Sequence, residues 1–288
     1  MMPYLLGIFR ERQHSPGREF DDTEILRLVA KHVEAAGYQV HLTTPEDLGG
    51  GVDDPIPSLV FLMCERMAAL ERLEPLERAG VPHVNALRGV LNTYRDRMIP
   101  LLAASGIPIP KSRIISSDPS GLGDLSLSLE GAVFPIWIKR ADVHNTQSGD
   151  VEMIPSPEQF QIALAALHDR GISRVVAQQH IPGDLIKFYG IGMPHAGDDK
   201  DTWFRWFYHR DQELARYPFS EEALRALTQQ AAAAIGLEVY GGDAIITPTG
   251  GIFLIDINAW PSFALFREEA AARIAAWLLY RVRKGTVQ

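Results

Sequence analysis

Asp243, Asp256 and Asn258 are the side chains whose types and spacing speak most directly of chemistry. They lie in the run Gly241-Gly242-Asp243-Ala244-Ile245-Ile246-Thr247-Pro248-Thr249-Gly250-Gly251-Ile252-Phe253-Leu254-Ile255-Asp256-Ile257-Asn258, two apolar stretches around a turn. A two-residue turn at Thr249-Gly250 places Asp243 directly opposite Asp256, and alternation puts Asn258 on the same face. A three-residue loop would spoil the direct pairing and leave Asp256 and Asn258 together. Facing carboxylates destabilise a sheet unless a cation lies between them. Two carboxylates and an amide oxygen are hard ligands suited to Mg²⁺, or to Mn²⁺, shared with substrate phosphates. The plainer reading is two strand-end aspartates facing water.

The elements that must position these groups can be read along the chain. The first 90 or so residues alternate strand and helix: strands at Tyr4 to Phe9, Tyr38 to Leu42, Leu59 to Met63 and Val81 to Asn85 suggest a small parallel sheet with crossover helices. One helix follows Asp21-Asp22, and a second, Glu65 to Ala79, is expected to kink or break at Pro75. A helix from about Thr93 to Ala104 carries Arg95 and ends at Gly106, where Ile107-Pro108-Ile109-Pro110 forces an extended exit. Ser116 to Gly131 reads as a surface loop. Lys139 ends the apolar strand from Phe134, and His144 opens a polar loop before a strand at Val151 to Ile154. Ser156-Pro157-Glu158-Gln159 is a helix-start signature. Strands follow at Arg174 to Ile181, Leu185 to Gly190 with Lys187, and Thr202 to His209 with Arg205. An Ala-rich helix opened by Ser220, the acidic hairpin and a final helix complete the chain. The boundaries divide it into 1–91, an N-terminal α/β lobe, 92–183, a small lobe, and 184–288, a C-terminal lobe with the metal site.

Composition removes several classes of function. With 28 Lys+Arg against 36 Asp+Glu the net charge is −8, which argues against non-specific nucleic-acid binding. No stretch approaches the roughly 18 apolar residues of a membrane span, and the N-terminus has no basic leader. The expected location is the cytoplasm, and the expected partners are a small-molecule acceptor and at most a second copy of the chain, with no nucleic acid and no membrane. The single cysteine, Cys64, sits in an apolar run and reads as a buried thiol.

An Asp, a hairpin, then an acidic residue, any residue and Asn followed by a Pro is the metal-binding pattern of ATP-grasp enzymes, and Asp243 with Asp256-Ile257-Asn258-Ala259-Trp260-Pro261 resembles it. The resemblance runs in order from about Val81 to Arg283. It implies an α/β chain of α+β lobes, the glutathione synthetase-like ATP-grasp fold behind a Rossmann-like N-terminal lobe. It also implies ATP and Mg²⁺ or Mn²⁺ as cofactors, the metal on Asp243, Asp256 and Asn258. Arg95 stands where the family has a phosphate-contacting Lys, and Lys139 resembles the strand-end Lys at the α-phosphate. Val175-Val176-Ala177-Gln178-Gln179-His180-Ile181-Pro182-Gly183-Asp184 resembles the adenine-reading strand, mapping to Gln178, Gln179 and Ile181, with Asp184 at the ribose. Lys187 takes the place of a basic residue facing phosphate or acceptor, and Arg205 is a further acceptor candidate. After the first strand Arg10, Arg12, His14 and Arg18 can meet an acceptor carboxylate.

Most of the superfamily are ligases that activate a carboxylate as an acyl phosphate for capture by an amine or other nucleophile. A minority phosphorylate hydroxyls, as the inositol trisphosphate kinases do. Asp256-Ile257-Asn258, His144 and Lys187 in Leu185-Ile186-Lys187-Phe188-Tyr189-Gly190 lean toward that branch. A nucleotide-binding protein without turnover is the third reading.

Overall fold

The computed structural model describes residues 4–11, 19–48, 55–118, 133–142, 147–192 and 202–285. Its first sheet is parallel, in the order β2-β1-β3-β4, built from β1 (Tyr4–Ile8), β2 (Gln39–Thr43), β3 (Leu59–Leu62) and β4 (His83–Val84). The helices between them are α1 (Glu19–Ala35) and α2 (Met67–Arg78). Every residue of β3 is buried, as a parallel strand covered on both faces requires. Cys64 follows it into the interior, where burial raises its thiol pKa well above the usual value.

The predicted break at Pro75 does not occur. α2 continues through Pro75 to Arg78; proline removes one backbone donor there, and the buried face of Ala69, Leu70 and Leu73 holds the helix. A short helix α3 (Leu87–Leu91) and then α4 (Arg95–Ala104) lead out of this sheet. Gly106, at φ 69°, takes the left-handed conformation after the end of α4.

The second sheet is antiparallel, in the order β5-β8-β6-β7, from β5 (Ser112–Ser116), β6 (Ile136–Arg140), β7 (Val151–Ile154) and β8 (Arg174–Gln179). α5 (Pro157–Asp169) covers one face, against Ile136, Ile138, Val175 and Ala177. Ser156 caps it as the sequence predicts, its hydroxyl accepting from the Gln159 amide at 3.4 Å. β5 was not legible beforehand, since Ser112-Arg113-Ile114-Ile115-Ser116 has neither clean alternation nor full burial.

The third sheet, order β10-β9-β11-β12, is also antiparallel: β9 (Asp184–Ile191), β10 (Trp203–Tyr208), β11 (Val239–Ile246) and β12 (Ile252–Ala259). α6 (Glu221–Ile235) starts at a Ser220 cap and stops at Gly236, φ 90°. The last helix, α7 (Arg267–Gly285), crosses back to the first sheet: Ala270, Ile274, Trp277 and Leu278 share a core with Leu5, Ile25, Val29 and Phe61. Among the described residues no helix is long and apolar enough to cross a membrane.

Candidate active site

The acidic hairpin reaches its predicted pairing by a route the sequence did not show. Thr247 and Gly251 close a three-residue loop, Thr247 N–H donating to the Gly251 carbonyl at 2.9 Å. That register pairs Ile246 with Ile252 and Ala244 with Leu254, which alone would misalign the two aspartates. A bulge then leaves Ile255 without a partner residue and shifts the register by one, so that Asp243 faces Asp256 and Gly241 faces Asn258. Leu254 and Ile257, on either side of this shift and Asp256, are both buried in the core.

Across the sheet the same row continues to Lys187, which pairs with Asp243 in register. Its ammonium lies 2.7 Å from Asp243 Oδ1. Arg95, at the start of α4, brings a buried guanidinium to 2.7 Å from Asp256 Oδ2 and donates a second bond to the Arg140 carbonyl at 3.1 Å. Lys139 arrives from β6. It is 5% exposed, and burial first, then the Arg95 charge, lowers its pKa to about 8, against the opposite pull of Asp256 and Asp243. One cluster therefore joins α4, the second sheet and the third.

The ligand set fits a hard divalent cation. Asn258 Oδ1 is a buried carbonyl oxygen with no hydrogen-bond partner among the described residues, an unfavourable state that a cation would relieve. Asp243 and Asp256 supply adjacent carboxylates on the same face. Among the described residues no group of three or more His, Cys, Asp or Glu side chains gathers to hold a metal, and a cation here would draw its third protein oxygen from the Asn258 amide.

The remaining predicted residues divide. Gln178 is buried on the Lys139 side of the second sheet and donates to Ser112 Oγ at 3.0 Å. Gln179 is exposed at the end of β8, its backbone N–H bound to the Lys111 carbonyl at 2.8 Å, and Ile181 beyond it is half-buried. Asp184 does not fit the expected ribose contact: it is 1% exposed, and its two oxygens accept the backbone N–H groups of Ala215 and Tyr217 at 2.9 Å each. It anchors a loop. Arg205 shares a sheet face with Lys187 but stands on the edge strand, paired with Glu269 at 2.6 Å and lying over the Trp203 ring. His144, Arg12, His14 and Arg18 lie outside the described residues.

Two further side chains have partners that the sequence did not show. Trp137 precedes Lys139 by two positions and so shares its face, opposite Ile136 and Ile138, and its indole N–H donates to His180 Nδ1 at 3.2 Å. Alternation back from Lys139 could have found it. The other is Arg10, read as an acceptor contact. Its guanidinium is held by Asp22 at 3.0 Å, Glu65 at 3.1 Å and the Trp260 carbonyl at 2.9 Å.

No protein-family model matches the chain, and no curated protein matches it in sequence. Solved structures do match in shape. The VanG D-Ala:D-Ser ligase of Enterococcus faecalis superposes with a TM-score of 0.74 at 14% identity, over 98% of this chain and 100% of the other. A RimK domain ATP-grasp protein from Sphaerobacter thermophilus gives 0.68 at 18% identity, over 96% and 99%. The D-alanine–D-alanine ligase of Bacillus anthracis complexed with ATP gives 0.68 at 15%, over 99% and 98%. With the matches running over nearly the whole of each chain, the fold of this protein is the ATP-grasp fold.

Proposed function

We propose that the chain is a Mg·ATP-dependent ligase that activates a small carboxylate for capture by an amine. The observation that carries this reading is the convergence of three cations, Arg95, Lys139 and Lys187, on the oxygen set of Asp243, Asp256 and Asn258. Ligases among the structures of the same fold support it.

Phosphoryl transfer asks a protein for little covalent chemistry and much positioning of charge. A divalent cation on Asp243, Asp256 and Asn258 would neutralise phosphate oxygens when bound. Lys139 and Arg95, buried beside it, would bind phosphate oxygens from the small-lobe side, and Lys187 from the third sheet. The acceptor carboxylate oxygen attacks the γ-phosphorus as its bond to the β–γ bridging oxygen breaks, and ADP leaves. The amine then adds to the acyl phosphate, phosphate departs with the bonding pair, and the amine proton passes to solvent. Water-poor surroundings favour the sequence: with Arg95 and Lys139 both 5% exposed, their charges act through a low dielectric.

The test is a panel of amino acids and other small carboxylates with amines, incubated with Mg·ATP and followed by ADP, free phosphate and product mass. The expected outcome is ADP and phosphate in equal amounts with a phosphorus-free condensed product. A phosphorylated acceptor with no free phosphate would replace the ligase by a hydroxyl kinase. Tight nucleotide binding without ADP formation across the panel would leave a non-catalytic nucleotide binder.

A further inference from the structure

We infer that Arg10 is a positioning residue for the metal ligand Asn258, because it fastens the left-handed turn at Trp260, two positions beyond Asn258, to the first lobe. The inference rests on the metal role given to Asn258 above. Arg10 follows β1, and its side chain is 11% exposed. An ion pair with Asp22 ties it to α1, and hydrogen bonds tie it to the chain after β3 through Glu65 and to the chain after β12 through the Trp260 carbonyl. Burial works against its charge, but Glu65, Asp22 and Glu11 outweigh it and raise its pKa.

Trp260 supplies an independent observation. It is fully buried at φ 38°, a conformation that bulky residues rarely adopt and that persists only where the surroundings over-determine it. Three contacts do so here. The ring stacks on Phe61 at 5.9 Å, the backbone N–H donates to the Val239 carbonyl at 3.0 Å, and the backbone carbonyl accepts from Arg10 at 2.9 Å. The last is charge-assisted and comes from the far end of the chain.

Asn258 needs such help. With no hydrogen bond to its Oδ1 among the described residues, the aim of its amide follows the backbone. The same cluster also reaches the other metal-ligand candidate on that strand. The Glu65 carbonyl accepts from the Tyr94 hydroxyl at 2.5 Å, and the next residue, Arg95, binds Asp256. Outer partners of this kind set the orientation of metal ligands.

Mn²⁺ binding in the presence of a non-hydrolysable ATP analogue, read by electron paramagnetic resonance, tests the inference. Arg10→Met should weaken Mn²⁺ affinity by about tenfold or more, the usual consequence of losing an outer-shell partner. That variant takes the Arg10 charge away from the buried Asp22 and Glu65 and can fail to fold. R10M/D22N/E65Q removes all three charges together while still lacking the donor to the Trp260 carbonyl, and the same loss is expected from it. Wild-type Mn²⁺ affinity in either folded variant would overturn the inference, leaving Arg10 to balance charge alone. If the unaltered protein binds no Mn²⁺ with the analogue, the metal reading itself falls and takes this inference with it.

Discussion

Lys139 is held buried among charges of both signs, and its titration follows from that position. Its pKa of about 8 lies below the ordinary 10.5, with burial the first cause. Between those values the unfolded chain binds the extra proton, so Lys139 makes stability rise with pH from about 8 to 10.5 and lowers it below 8. Binding has the opposite sense, because phosphate needs the ammonium form. ATP affinity should be flat below pH 8 and fall above it, by up to ~10-fold per pH unit while the bound form stays protonated. Calorimetry from pH 7 to 9.5 reads this, and Lys139→Met should lose the slope along with affinity at pH 7. A slope that survives in the variant would assign it elsewhere. The place of Lys139 near the end of an apolar strand was legible; its burial beside Arg95 was not. Asp184 was misread, since the two amides that claim it belong to residues 215 and 217, about thirty positions away, with no local signal.

The hairpin shows how an element can meet a prediction for a different reason. The facing aspartates require the register shift at Ile255, not the two-residue turn read from Thr249-Gly250. Turn chemistry is local and visible in sequence; a bulge depends on how two strands meet and is not. Gly242 carries the cost of that geometry. A Cβ there would come within 2.1 Å of the Asp256 carbonyl and 2.6 Å of the Phe188 ring. Gly242→Ala should therefore push β12 away at the ligand itself, with a stability loss of about 1–3 kcal/mol, as for other overpacked sites. Turnover should fall further than the folded fraction does. Denaturant unfolding paired with activity per folded molecule measures both, and activity in proportion to the folded fraction would show that the hairpin tolerates the shift.

At the scale of the molecule, α7 joins what the reading of the chain in three segments kept apart. Ile274 is fully buried in the core that α7 shares with α1 and the first sheet. Ile274→Ala should cost roughly 2–5 kcal/mol, the range for large-to-small changes in a core. Because that core includes residues from both ends of the chain, first-sheet and third-sheet probes should lose structure together. Separate transitions, followed by hydrogen exchange in denaturant, would contradict this. The alternating pattern near the N-terminus and the apolar runs made the parallel sheet readable. The return of α7 to α1 was not readable, since amphipathic periodicity says that a helix has a buried face and not what covers it.

The claim on which the account depends is that Asp243, Asp256 and Asn258 hold a divalent cation that brings ATP to Arg95, Lys139 and Lys187. Titration of ATP into the unaltered protein and into Asp256→Asn, each with and without Mg²⁺, tests it most directly. The account predicts that Mg²⁺ strengthens ATP binding to the unaltered protein, and that Asp256→Asn, nearly identical in shape, loses most of that gain while melting as a folded protein. An equal Mg²⁺ effect in both proteins would contradict it.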